Sequence, residues 1–214
     1  MHAQPSALRV AIVEDQPLFR EMLQHLLSSV PRLHVRSAQN VTEASLWDPR
    51  EFDVALLDYE LPDGTGLELG QAFQQKNSEL GVVLLSAVDR TNALLDVAQH
   101  ERWSYLSKTS STSARDLVRT VKMAAAGRTV IDPQVVARRE PRAGSRLAEL
   151  SPRQYVVLTH IAEGLTNQAI ADELGLAVNS VNNHVNAVYS GLGLTDNTQN
   201  PRVRAVRIFL EDSV

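Results

Sequence analysis

Apolar runs of four to six residues, spaced along the first 127 residues, restrict the possible folds most. They fall at 8–13 (LRVAIV), 33–37, 54–57 (VALL), 82–85 (VVLL) and 103–106. Each is short enough for a strand, and amphipathic stretches near 17–28, 41–47, 67–75, 92–99 and 113–126 lie between and after them. Strands alternating with helices predict an α/β domain with a mainly parallel sheet covered on both faces. Uninterrupted runs such as VALL and VVLL suit strands buried on both sides. Gly127 is placed to end the last of these helices.

Beyond Gly127 the pattern changes. Residues 128–147 mix prolines, a glycine and arginines, and read as an interdomain linker. Residues 148–214 read as four helices, near 152–163, 167–174, 179–191 and 201–211, separated by Gly164, Gly175 and a GLGL turn. The expected organisation is an α/β domain over 1–127, a linker over 128–147 and a small all-α domain over 148–214, large enough for one small core.

Composition enters through charge. The net charge of −4 gives no sign of a nucleic-acid partner, but its distribution is uneven. Residues 128–147 carry 5 basic and 2 acidic side chains, whereas the flanking blocks carry 12 and 16, and 4 and 7. There is no cysteine, which excludes disulfides and cysteine-ligated zinc. No apolar run approaches the ~20 residues of a membrane span, and the opening MHAQPSALRV lacks the pattern of a secretory signal. A cytoplasmic protein without a membrane partner is expected.

The chemistry gathers at the strand ends. Glu14 and Asp15 follow the first strand, Asp58 the third, Ser86 the fourth and Lys108 the fifth. In a parallel sheet all these ends share one edge, where ligand sites form. Three converging carboxylates repel unless neutralised, and Mg²⁺ is a suitable neutraliser because it accepts carboxylates while keeping water and phosphate oxygens. Carboxylates, Mg²⁺, a hydroxyl and an ammonium together make a site for an incoming phosphoryl group, with Asp58 as nucleophile. Taken singly, each has a plainer role: an Asp after a strand is ordinarily a turn former, and a Lys a solvated surface charge.

In the C-terminal region, Ser151 and Pro152 mark a helix start. Val156, Val157, Ile161 and Ala162 form an apolar stripe. Asn167 is read as the cap of the next helix, with Ile170, Ala171 and Leu174 inward. After a turn at Gly175, Val181, Val185 and Val188 share one face. Two short helices joined by a tight turn fit a helix-turn-helix, whose second helix enters the major groove of DNA. By periodicity alone a helical protein-binding module fits equally well.

On the pieces VAIVEDQPLFREML, DVALLDYELPDGTGLEL, VVLLSAVD and YLSK, residues 8–126 resemble the receiver domain of two-component response regulators. On LSPRQ, VLTHIAEGLTNQAIADEL and SVNNHV, residues 148–210 resemble the LuxR-type DNA-binding domain of the NarL/FixJ regulators. The resemblance implies a flavodoxin-like five-stranded fold followed by a helix-turn-helix. It also implies Mg²⁺ held by Glu14, Asp15 and Asp58, phosphate accepted by Asp58, a hydroxyl switch at Ser86, a phosphate-sensing Lys108 and an aromatic switch at Tyr105. Its implied partners are a sensor histidine kinase and double-stranded DNA, with a homodimer when active, and the protein is not an enzyme. Two readings compete: a regulator or adaptor that works without phosphate and with weakened DNA binding, and a Mg²⁺-dependent phosphohydrolase using Asp58.

The sequence departs from the family in three places. Glu101, Arg102 and Trp103 are bulky or charged where small residues are usual, and Thr109 follows the lysine where an acid or proline is common. Residues 179–191 contain no Lys or Arg, although the family commonly places one at the position of Asn182 and again near Ser190 and Gly191. The expected DNA contacts are therefore Asn179, Ser180, Asn182, Asn183, His184 and Asn186. Asparagine can read adenine in bidentate fashion. Phosphate neutralisation, which normally supplies much of the affinity, is expected to be weak.

Overall fold

The structure is a computed structural model that describes residues 7–87, 91–109, 114–194 and 200–214. The opening six residues, on which the signal reading rested in part, lie outside the described residues. So do the last residues of the VVLLSAVD motif, Ser113, and the residues following the GLGL turn.

The chain divides into two units. The first contains strands β1 (Leu8–Val13), β2 (Leu33–Ala38), β3 (Val54–Asp58), β4 (Gly81–Ser86) and β5 (Trp103–Ser107). They form one sheet in the order β2-β1-β3-β4-β5, every neighbouring pair parallel. Helices α1 (Pro17–Ser28), α2 (Val41–Ala44), α3 (Gly66–Lys76) and α5 (Ala114–Ala125) accompany it. Helix α4 (Thr91–Gln99), between β4 and β5 in sequence, groups by its contacts with the second unit, where it lies beside α10 (Pro201–Asp212). The helix expected at 41–47 is shorter than its apolar pattern suggested. It ends at Ala44, and a 3₁₀ turn follows at Pro49–Glu51.

Residues 54–58 and 81–86 are buried throughout, as uninterrupted apolar strands require. Val10, Ile12, Leu56, Val83, Leu85 and Leu106 pack with Leu23 and Leu27 of α1 and Leu117 and Val121 of α5. Trp103, which the sequence resemblance marked as unexpectedly bulky, fits because α3 carries glycine opposite it. A Cβ on Gly70 would lie 2.7 Å from the indole Cη2. The indole N–H donates to Gln74 Oε1 at 2.5 Å, so the buried ring keeps its polar contact. Arg102 sits at φ 63° and its guanidinium pairs with Glu79.

The second unit holds α6 (Pro133–Ala137), α7 (Pro152–Ala162), α8 (Asn167–Leu174), α9 (Val178–Gly191) and α10. Its core includes Val157, Leu158, Ile161, Ile170, Val181, Val185, Val188 and Phe209. Ser151 and Gln154 form a reciprocal capping box at the start of α7. Three local expectations are corrected. Thr166, not Asn167, caps α8 through its hydroxyl; Asn167 is the first helical residue. Val156 is 38% exposed, because the buried stripe of α7 runs through Val157, Leu158, Ile161 and Ala162 instead. Leu174, at the end of α8, is only half-buried.

The stretch read as a connector is folded from Thr129 onward within this unit. Val130, Ile131, Val135 and Val136 are buried, and Ile131 N donates to the Ala162 carbonyl. Pro141 and Ser213 form an antiparallel bridge, flanked by two backbone bonds between Glu140 and Val214. Asp212 receives the guanidinium groups of Arg146 and Arg142 at 2.8 and 3.3 Å. Three arginines of this stretch are thus tied to the C-terminal end of the chain, since Arg139 also bonds the Leu210 carbonyl and the Ser213 hydroxyl.

One glycine connects this packing to the chemistry. A Cβ at Gly66, where α3 begins, would lie 2.2 Å from the carbonyl oxygen of Asp58. Backbone cannot yield as a flexible side chain can, so Gly66→Ala should cost about 1–3 kcal/mol. Urea unfolding followed by the fluorescence of Trp47 and Trp103 measures it; an unchanged midpoint would show that the Asp58 turn tolerates the methyl group.

Candidate functional site

The parallel register brings the site residues together. Val13 of β1 pairs with Leu57 of β3, which places Glu14 beside Asp58 at the carboxyl edge. Ser86 pairs with Ser107 at the ends of β4 and β5, and Lys108 N donates to the Ser86 carbonyl at 2.7 Å. Asp15, Gln16, Asp58, Tyr59, Glu60, Ser86, Ala87 and Lys108 line one cleft of about 150 Å³. Tyr105 is wholly buried in β5 and does not line that cleft.

Lys108 is the centre of the polar contacts. Its Nζ lies 2.8 Å from Glu14 Oε1 and 2.8 Å from Asp58 Oδ2. Glu14 is fully buried, Asp58 is 5% exposed, and Asp15 is exposed. Burial pushes the Glu14 carboxyl up to about 6; the Lys108 bond opposes that and the Asp58 charge adds to it. Burial also raises Asp58, against the same lysine bond. For Lys108 burial works in the opposite sense, but the bonds to Asp58 and Glu14 outweigh it and hold the ammonium above the ordinary lysine value. One cation thus serves two carboxylates, and each partner is protected from solvent.

Carboxylate oxygens of Glu14, Asp15 and Asp58 all lie within 4.8 Å of one another. The second oxygen of Glu14, Oε2, is buried without a hydrogen-bond partner. A buried carboxylate oxygen with no donor is costly, and a hard cation would satisfy it, so this donor set fits a divalent metal.

Two residues of the site were not foreseen from the sequence. Arg20 donates to the carbonyls of Glu14 and Asp15 at 2.7 and 3.2 Å, fixing the backbone that carries both acids. The Phe19 ring lies 5.1 Å from Lys108 Nζ, close enough for a cation–π contact. The available signal was position: both lie in the first turn of α1, directly after the acidic pair.

On α9, Val181, Val185 and Val188 are buried, while Asn179, Ser180, Asn182, Asn183 and Asn186 are exposed and His184 is half-buried. The helix starts at Val178, so Asn179 and Ser180 sit in its first turn, and Ala177 supplies no side-chain cap. These six polar residues share the surface of one helix that carries no cationic side chain.

A parallel α/β sheet with a buried acid–lysine cluster at its carboxyl edge, followed by a helix-turn-helix, defines a two-part regulator. The family model for the response regulator receiver domain matches residues 10–122. That for bacterial regulatory proteins of the luxR family matches residues 148–203. The chain belongs to the response regulators with a receiver domain and a LuxR-type helix-turn-helix domain. It is similar to the DNA-binding transcriptional activator DevR/DosR of Mycobacterium tuberculosis, 32% identical over 200 residues that span 90% of this chain and 91% of the relative. It is also similar to the transcriptional regulatory protein YdfI of Bacillus subtilis, 26% identical, with 96% and 97% covered. Among solved structures, the response regulator ChrA of a heme-sensing two-component system is 25% identical with a TM-score of 0.50, covering 95% of this chain and 96% of that one. RcsB of Salmonella typhimurium, 19% identical with a TM-score of 0.51 and coverage of 97% and 99%, shares the fold. Membership of this family sets aside the phosphohydrolase reading. Among the described residues no helix is long and apolar enough to cross a membrane.

The Glu14 environment gives a pH dependence. Its folded pKa, about 6, exceeds the ordinary 4.5, so the folded state binds this proton more tightly than the unfolded one. The contribution is present below about pH 4.5 and is lost as pH rises through about 6. In protein kept metal-free with chelator, the stability difference between wild type and Glu14→Gln should fall by about 2 kcal/mol from pH 4.5 to 7. A difference that stays flat across that range would contradict the assigned burial of Glu14.

Proposed function

We propose that the chain is a phosphorylation-controlled transcription regulator of the cytoplasm, in which Asp58 accepts a phosphoryl group from a partner sensor histidine kinase. The observation that carries the reading is the 2.8 Å contact of Lys108 Nζ with Asp58 in the cleft that Ser86 also lines. An Asp58 carboxylate oxygen attacks the phosphorus, a new P–O bond forms, and the bond to the donor's leaving group breaks. Lys108 remains within reach of the added oxygens and offsets part of their charge. Glu14, Asp15 and Asp58 would hold Mg²⁺, which when bound supplies further neutralisation of the phosphoryl oxygens. The Ser86 hydroxyl, at the end of the adjacent strand, donates to an oxygen of the phosphoryl group, and Tyr105 on the next strand registers the change as the aromatic switch.

The output is binding of double-stranded DNA by a homodimer, with α9 in the major groove. Asn179, Ser180, Asn182, Asn183, His184 and Asn186 supply the contacts. The charge of this helix gives little phosphate neutralisation. Arg142 and Arg146 do not make up the deficit while they pair with Asp212.

The test is stoichiometric labelling. Incubation with a small acyl-phosphate donor and Mg²⁺ should add one phosphoryl mass to the intact protein. Asp58→Asn should remove at least nine-tenths of that label with the melting temperature retained. A variant labelled as fully as wild type would place the acceptor elsewhere.

A further inference from the structure

Helices α8, α9 and α10 are joined by polar side chains whose hydrogen-bond directions are forced. Arg202, in the first turn of α10, donates to the Leu165 carbonyl and, at 3.3 Å, to Asn167 Oδ1. Tyr189 of α9 also bonds this guanidinium. A guanidinium has donors only, so Asn167 must turn its carboxamide oxygen toward Arg202. Its Nδ2 then faces α9 and donates to Asn182 Oδ1 at 2.8 Å. Asn182 must therefore present its oxygen to α8, which leaves its Nδ2, with a remaining pair of hydrogens, as the outward end of an exposed side chain.

This orientation matters for base reading. An asparagine reads adenine by setting Oδ1 and Nδ2 side by side against N6 and N7. With one lone pair of Oδ1 taken by Asn167, the unbonded Nδ2 is the atom best placed to meet a base. A side chain that only donates fits instead the O6 and N7 acceptors of guanine.

We propose that Arg202, acting through Asn167, fixes the Asn182 carboxamide as an outward hydrogen-bond donor, so that Asn182 selects guanine over adenine. Arg202 and Asn167 are positioning residues, and Asn182 touches the base. The proposal rests on the reading of α9 as the groove-facing helix.

The test selects bound fragments from a randomised duplex pool, using the full chain treated with acyl phosphate and Mg²⁺. Wild type should show one position per half-site where guanine exceeds adenine about fivefold or more, and Asn182→Ala should erase that excess. Asn167→Asp is the informative change. Asp is favourable in the first turn of a helix, pairs with Arg202, and offers Asn182 an acceptor in place of a donor. The Asn182 amide should then turn over, Oδ1 outward, and the preference at that position should shift to the donor-bearing adenine or cytosine. Asn167→Ser, whose hydroxyl can still accept from Arg202 and donate to Asn182, should keep guanine.

A guanine preference undiminished in Asn167→Asp overturns the proposal, because a merely structural role would alter affinity but not the base chosen. So does a wild-type preference that Asn182→Ala leaves unaltered. Failure of wild type to enrich any sequence overturns the groove reading and the proposal with it. If Asn167→Asp does not fold, Asn167→Ala decides: freeing the amide should bring adenine close to guanine, and an unchanged guanine excess overturns the proposal.

Discussion

Lys108 holds two buried carboxylates at the carboxyl edge of the sheet, and much of the first unit is arranged so that it can. Glu14 and Asp58 lie on neighbouring strands, each pushed toward its neutral form by burial, and a single ammonium contacts both at 2.8 Å. Removing charges from water costs several kcal/mol per ion unless the geometry compensates. Here the compensation comes from the parallel register, which sets Glu14 beside Asp58, and from the β4–β5 pairing, which delivers Lys108 through its backbone bond to Ser86. The compensation is incomplete, since Glu14 Oε2 has no partner. That combination of excess negative charge and a fixed cation suits the proposed phosphoryl-accepting site: it would attract a metal and then balance the incoming oxygens.

The second unit solves a different charge problem. Five of its basic side chains, Arg139, Arg142, Arg146, Arg202 and Arg207, are occupied inside the unit by the C-terminal end of the chain, by carbonyls or by neighbouring acids. Its exposed α9 surface is left polar and uncharged. In such a protein, affinity for DNA has to come more from directional hydrogen bonds and from pairing two copies than from counterion release. Part of the positive charge of residues 128–147 is thus used inside the unit, Arg142 and Arg146 in ion pairs and Arg139 in hydrogen bonds to a carbonyl and a hydroxyl.

Much of this was legible in the sequence for physical reasons. Five short apolar runs could be buried only as strands covered on both sides, and parallel strands put all their ends on one edge. The positions of Glu14, Asp15, Asp58, Ser86 and Lys108 followed from that rule. Features that depend on long-range packing were not legible. Trp103 looked out of place because its accommodation is decided by Gly70 on another element. The bonds of Arg139, Arg142 and Arg146 could not be read because their partners lie some seventy residues further on. Asn167 was read as a cap, since Thr166 and Asn167 are both capable and only the backbone geometry chooses Thr166. Arg20 and Phe19 were missed because no motif marks a residue that supports a site through backbone carbonyls or a ring face.

The unfolding free energy of Lys108→Met tests the charge compensation at this edge most directly. Measured in chelator, the variant should lose about 3–5 kcal/mol, the penalty for stranding buried charge. Added Mg²⁺ should then stabilise it more than it stabilises wild type, because the metal binds only the folded site and replaces the missing cation. A variant as stable as wild type in chelator, with no response to Mg²⁺ in either protein, would show that the carboxylates at this edge do not depend on a cation.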